Sequence, residues 1–167
     1  AILTELRAPG APLAGGDLGA VGHRIVHGGE RLLRPVLIDA AVEAVIDECA
    51  VFAPLHNPVN LAGSRAARAL FTDVPHVAVF DTAFHAAMPE HAFMYGVPHE
   101  LYVQRGVRRY GFHGPSHQYM AACAAEFLGM APARLRLITC HLGGGASVAA
   151  IDGGVAVDTS MGMTPLE

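Results

Sequence analysis

The 167 residues are 52% hydrophobic and 16% charged, with 11 Arg, 15 acidic residues, no Lys and a formal net charge of −4. That length and apolar content predict a buried core in one domain or slightly more, and the charge excludes a basic footprint for nucleic acid or an anionic membrane patch. No apolar run reaches the roughly 18 residues that span a bilayer. A P-loop is excluded because its lysine has no candidate, so any phosphate must be met by Arg, backbone N–H or metal. Three cysteines (Cys49, Cys123, Cys140) lack paired spacing and predict reduced thiols in the cytoplasm. There is no initiator Met, and the chain stops soon after a strand and turn; a piece of a longer protein is expected.

Residues 1–18 are rich in Ala, Pro and Gly and read as a loop. Leu18 to Val26 read as a short apolar strand that carries one charge, Arg24, which needs a partner. Two readings stand: an Arg at a sheet end paired with a carboxylate, or an anion clamp exploiting the planar guanidinium fork. Asp39 is a suitable N-cap for a scaffold helix over Ala40 to Val51, where Val42, Val45, Ile46 and Cys49 recur at helical spacing. Pro54 and Pro58 then fix an irregular turn around His56 and Asn57, before a second helix over about Leu61 to Leu70. His76 to Phe80 form a continuous apolar run, as in a strand covered on both faces of a parallel or mixed sheet. Asp81 follows at its carboxyl end, where α/β sheets gather ligands, although an N-cap role is equally open.

Residues 85–115 are loop-rich. Within RRYGFHGPSH, Arg108 to His117, cations alternate with aromatics between glycines, more than a solvated turn requires. Ser116 is expected to cap a helix over about His117 to Leu128 ended by Gly129, with His117 as a plain first-turn residue. Leu135 to His141 read as a strand, Ser147 to Ile151 as the next, Asp152-Gly153-Gly154 as a tight hairpin and Val155 to Asp158 as a third strand. Between the first two lie Gly143, Gly144 and Gly145, whose unshielded backbone N–H groups can approach an anion closely. A glycine-rich hairpin shaped for conformation alone is the alternative, and the stretch matches no dinucleotide fingerprint.

Taken together, HRIVHGGE, APLHNPVN, VAVFDTAFH, RRYGFHGPSH and CHLGGGASV followed by VDTSMGMTPLE resemble the acetate kinase (acetokinase) family over Gly22 to Glu167. The resemblance implies a duplicated actin-like, sugar-kinase-like (RNase H-like) α/β fold with its active site between two halves. Residues 1–84 would be the later part of the first half, and 85–167 a linking segment and the opening strands of the second. It further implies that Arg24 contacts the acyl phosphate or carboxylate, and that Val26, Leu55, Phe112 and Pro165 hold the substrate methyl. His56 and His113 would lie near the transferring phosphoryl group, and Asp81 would be the active-site aspartate. His141, Gly143, Gly144, Gly145 and Ser147 would form a nucleotide-phosphate loop. The family usually reads H-L-G-N-G there, so Gly144 removes an amide donor.

The implied reaction is reversible phosphoryl transfer from ATP to acetate, giving acetyl phosphate and ADP, with Mg²⁺ as cofactor and a cytoplasmic homodimer at full length. Propionate kinase is the rival within the family, and a non-catalytic fragment or binding module the rival outside it. A metallohydrolase, suggested by 10 His, lacks any H-E-x-x-H-like ligand spacing.

Overall fold

The computed structural model describes Glu5 and residues 18–165, so most of the loop expected over residues 1–18 lies outside the described residues. Two three-stranded sheets organise the rest. The first contains β1 (Val21–Ile25), β2 (Val36–Leu37) and β3 (His76–Phe80) in the order β1-β3-β2. β1 runs parallel to β3, with Arg24 opposite Val79 and Ile25 opposite Phe80, while β2 is antiparallel to β3. The sheet is therefore mixed, as the continuous apolar run of β3 anticipates.

The connection between β1 and β3 carries α1 (Ala40–Glu48), a 3₁₀ turn (Cys49–Val51) and α2 (Asn57–Leu70). The Asp39 side chain accepts a hydrogen bond from Val42 N at 2.8 Å and starts α1 as expected. α2 begins four residues earlier than the turn signals suggest. Pro58 lies in its first turn, where a missing N–H costs nothing, so the proline opens the helix rather than delaying it. Ile25, Leu32, Ile38, Ile46, Leu61, Ala78 and Phe80 form the buried core between the helices and this sheet.

Short helices α3 (Glu90–Phe93) and α4 (His99–Arg105) punctuate the loop-rich passage. α5 (Gly114–Phe127) starts three residues before the expected His117, again with a proline in its first turn. Its N-cap position is His113, at φ 57°, and Ser116 lies inside the first turn and provides no cap.

The second sheet, β4 (Arg136–Leu142), β5 (Ala146–Asp152) and β6 (Val155–Thr159), is an antiparallel meander close to the expected strands. Its second hairpin places Gly153 and Gly154 at φ 59° and 86°, the conformations the Asp-Gly signal calls for. α5 packs against β4 and β3, and the 3₁₀ turn Ala83–His85 packs against β6, so the helix and turn link the two sheets.

Candidate active site

The site is assembled where the two parallel strands end. β1 delivers Arg24 and, one residue beyond the strand, Val26; β3 runs directly into Asp81. Parallel register sets these carboxyl ends side by side, the usual ligand position of an open α/β sheet. Arg24 is not unpaired: its Nε donates to Asp81 Oδ1 at 2.8 Å and its Nη2 to Oδ2 at 2.6 Å. This bidentate fork spans 57 residues of sequence and raises the guanidinium pKa, the Asp81 hydrogen bond being the largest cause. The Asp81 side chain is 1% exposed, yet that of Arg24 remains 61% exposed. One face of the guanidinium thus stays available to a ligand.

A third donor to Asp81 comes from the far motif. His113 N donates to Oδ2 at 3.2 Å, and Gly114 N donates to Asp81 O at 3.0 Å. The approach is so close that a Cβ on Gly114 would stand 2.2 Å from Asp81 O, and one on Gly111 2.6 Å from Thr159 Cγ2. Those glycines permit the contacts that hold His113 in its left-handed conformation, which a non-glycine residue adopts only when its surroundings impose it.

Arg24, Asp81, His113 and His56 line a cavity of about 220 Å³ together with Val26, Asn60, Phe112 and Pro165. Behind it, Val26, Ala53, Phe112 and Met161 form a small buried apolar cluster. A cation, two imidazole rings and an apolar wall therefore converge on one volume. Of two larger hollows, that of about 410 Å³ has Arg68 and His76 in its lining but no carboxylate, and both nitrogens of His76 are already bonded, to His23 and Phe71 O; that of about 420 Å³ along β4 and β5 has no histidine. Asn60 is a lining residue that the sequence reading passes over; its Oδ1 accepts from Val26 N at 3.1 Å and so sets the wall residue in place. Its neighbour Asn57 is fully buried and bonds both backbone groups of His27 and the Ile46 carbonyl. Leu55, expected in the methyl pocket, is 76% exposed and does not line the cavity. It falls in the turn before α2, while Val26 and Phe112 are the large apolar side chains that line the cavity.

The second sheet adds the remaining expected residues. Gly143, Gly144 and Gly145 turn the β4–β5 hairpin, closed by a bond from Gly143 N to Gly145 O at 3.0 Å, and a Cβ at Gly145 would lie 3.3 Å from the His113 ring. The triple glycine therefore abuts the cavity histidine. His141 stacks on His113 with ring centroids 4.0 Å apart, and its Nδ1 bonds Ser116 Oγ at 2.9 Å. Ser147 is 2% exposed and points inward, its hydroxyl 2.8 Å from both His113 Nδ1 and His117 Nε2. His117 is thus more than a first-turn residue: it is buried, and its Nδ1 lies 2.8 Å from Thr139 Oγ1. Burial and the neighbouring histidines lower its pKa to about 4. Burial, followed by His141, lowers the pKa of His113 as well, so both rings are neutral at pH 7. His85, fully buried, bonds Phe112 O at 2.9 Å and supports the segment from below.

No group of three or more His, Cys, Asp or Glu able to hold a metal ion occurs among the described residues. Both Asp81 oxygens are engaged by Arg24 and His113, so this donor set does not form a cation site by itself.

Comparison with known proteins bears on the family and the fold. A family model for the acetokinase family matches residues 1–167. The chain belongs to the acetokinase family. An acetate kinase of Deinococcus deserti is 63% identical over 148 residues, covering 89% of this chain and 37% of that protein. An acetate kinase of Bacteroides fragilis is 53% identical and covers 99% of this chain. Among solved structures, Porphyromonas gingivalis acetate kinase superposes with a TM-score of 0.91 at 48% identity, covering 99% of this chain and 42% of that one. A Francisella tularensis propionate kinase gives 0.84 at 45% identity over 89% of this chain and 38% of that one. The expected family and fold are borne out, and the chain spans about two fifths of the length of the curated relatives it matches.

Proposed function

We propose that the protein containing this chain is an ATP-dependent acetate kinase, transferring the γ-phosphoryl group of ATP to acetate and reversing the reaction from acetyl phosphate and ADP. The observation that carries this reading is the convergence of a half-exposed Arg24, an Asp81-anchored His113 and the Val26–Phe112 apolar wall on one small cavity. Acetate is already an anionic nucleophile, so the chemistry needs no strong base. The barrier lies in bringing two anions together and supporting charge on the phosphoryl group in flight. Arg24 neutralises the carboxylate, Asp81 fixes the guanidinium plane, Val26 and Phe112 take the methyl, and His113 donates a hydrogen bond to a phosphoryl oxygen. The Gly143–Gly145 turn supplies backbone N–H groups for nucleotide phosphate. Mg²⁺ would enter with the nucleotide and supply charge neutralisation of its phosphates. Unpaired thiols at Cys49, Cys123 and Cys140 suit a cytoplasmic enzyme, and the homodimer expected at full length belongs to this proposal. So does a boundary near residue 85 between two actin-like halves, which the separation of the sheets supports.

Propionate kinase is the second reading, favoured by the 45% identity to the Francisella protein. The test of the site is Arg24. In the full-length enzyme Arg24→Lys keeps a charge beside the buried Asp81 but loses the fork, and should lower kcat/KM for acetate by roughly tenfold to a hundredfold, the worth of a charge-assisted hydrogen bond. Unchanged acetate kinetics would remove Arg24 from the site.

A further inference from the structure

The four groups Thr139, His117, Ser147 and His113 form an unbroken line of hydrogen bonds, each 2.8 Å long, from the interior of the second sheet to the cavity. Thr139, His117 and Ser147 are buried, and His113 is the member that reaches the cavity. We propose that Thr139, His117 and Ser147 act as positioning residues that hold His113 as its neutral Nε2–H tautomer, so that a fixed N–H faces the phosphoryl position. The proposal deepens the kinase reading and rests on it only for what that N–H touches.

Proton positions along the line follow from satisfying every buried donor. Ser147 has one hydroxyl proton and two imidazole neighbours, and a neutral His117 has one N–H. If the Thr139 hydroxyl donates to His117 Nδ1, then His117 Nε2–H donates to Ser147 Oγ and Ser147 O–H donates to His113 Nδ1. Every proton is used, and His113 must carry its own on Nε2. Reversing the line makes His113 Nδ1–H donate to Ser147, Ser147 to His117 Nε2, and His117 Nδ1–H to Thr139. The Thr139 hydroxyl proton then has no acceptor among the described residues, in a side chain that is 8% exposed. If both imidazoles donate to Ser147, its own proton is stranded at 2% exposure. A stranded buried donor is costlier than an unused oxygen lone pair, so only the outward direction is fully satisfied.

Three further features hold the ring at the end of this line. His141 stacks on one face of His113, the His113 N–H is tied to Asp81, and its backbone is pinned at φ 57° between the close contacts of Gly111 and Gly114. With Nδ1 turned to Ser147, Nε2 is the nitrogen left for the cavity.

The test uses full-length protein isotopically labelled at its imidazole nitrogens, in which long-range proton–nitrogen correlation spectra at neutral pH report the tautomer of each histidine. His113 should show a protonated Nε2 and a bare Nδ1. Ser147→Ala should bring the Nδ1-protonated form into exchange and lower kcat about tenfold while leaving the KM for carboxylate within about twofold. His117→Gln, whose amide N–H can reach the same hydroxyl, should preserve the tautomer, and His117→Leu should lose it. A protonated Nδ1 in the native protein, or a Ser147→Ala protein whose His113 tautomer is unchanged, overturns the proposal; if that variant fails to fold, the native tautomer decides alone. A protein that shows the expected tautomers yet does not phosphorylate acetate retains the relay and refutes the kinase reading. Phosphorylation with the opposite tautomer does the reverse.

Discussion

At the scale of single residues, neutrality of the histidines under the site ties stability to pH. His27 is fully buried against Phe52, Tyr110 and Phe112, and its Nδ1 accepts from Gly29 N at 3.0 Å, so its proton lies on Nε2, which has no hydrogen-bond partner. Desolvation lowers its pKa to about 4. The unfolded chain binds this proton from about pH 6.5 downward while the native state refuses it, so the unfolded state binds more protons between those values. Stability should be level above pH 6.5, fall as pH drops, and level off near pH 4, with His27 alone accounting for about 3 kcal/mol. His117, lowered to about the same value, contributes a comparable share, so urea melts at pH 7 and pH 5 should show the slope and a His27→Leu protein should lose part of it. A slope the variant leaves intact would place the protons elsewhere. Val26 offers the matching test of substrate size: Val26→Ala should favour propionate over acetate by about 1 kcal/mol, roughly fivefold in relative kcat/KM, one methylene's worth. A ratio moving toward acetate would detach Val26 from the methyl wall.

Elements show what the sequence does and does not announce. β3, α1 and the meander β4–β6 follow from apolar runs, a capping Asp and a Gly-Gly turn, signals confined to a few neighbouring residues. The starts of α2 and α5 are shifted because Pro58 and Pro115 act as first-turn residues instead of breakers. The links that make the site are long-range: Arg24 to Asp81 depends on the parallel register of β1 and β3, and His117 to Ser147 on α5 packing against β4, which pairs with β5. No local pattern encodes either, which is why both members of the first pair are legible as candidates but not as partners, and why His117 passes for scaffold. Leu55 is the converse case, a motif position whose side chain the turn leaves in solvent. The β4–β5 turn carries its own prediction. A Cβ at Gly144 would meet nothing within 4 Å, and its φ is not positive, so Gly144→Asn should fold normally. It restores the family's usual amide donor and should lower the KM for ATP in the full-length enzyme several-fold, about 1 kcal/mol for one added hydrogen bond. An unchanged or raised KM would mean that the turn does not contact nucleotide phosphate.

For the whole molecule, the decisive fact is proportion. The chain covers 36% to 42% of its relatives, and ligand sites in two-lobed folds favour the cleft between lobes. Among the described residues the candidate site rests on the carboxyl ends of β1 and β3, with the β4–β6 meander beside it. Among the described residues both sheets have open edges, β1 and β2 in the first and β4 and β6 in the second. Unpaired edges carry rows of N–H and C=O groups that favour self-association. Ile138 on β4 and Val155 on β6 are 69% and 45% exposed, adding apolar surface to that tendency. The 167-residue polypeptide alone is therefore expected to form the Arg24–Asp81–His113 cluster without turning over acetate, to bind Mg-ATP no better than weakly, and to associate as concentration rises. Isothermal titration with Mg-ATP, a coupled acetyl phosphate assay and light scattering across a concentration series examine the three points. Micromolar nucleotide binding, or turnover above the blank, would show that the transfer machinery is more complete in these two sheets than their open edges allow.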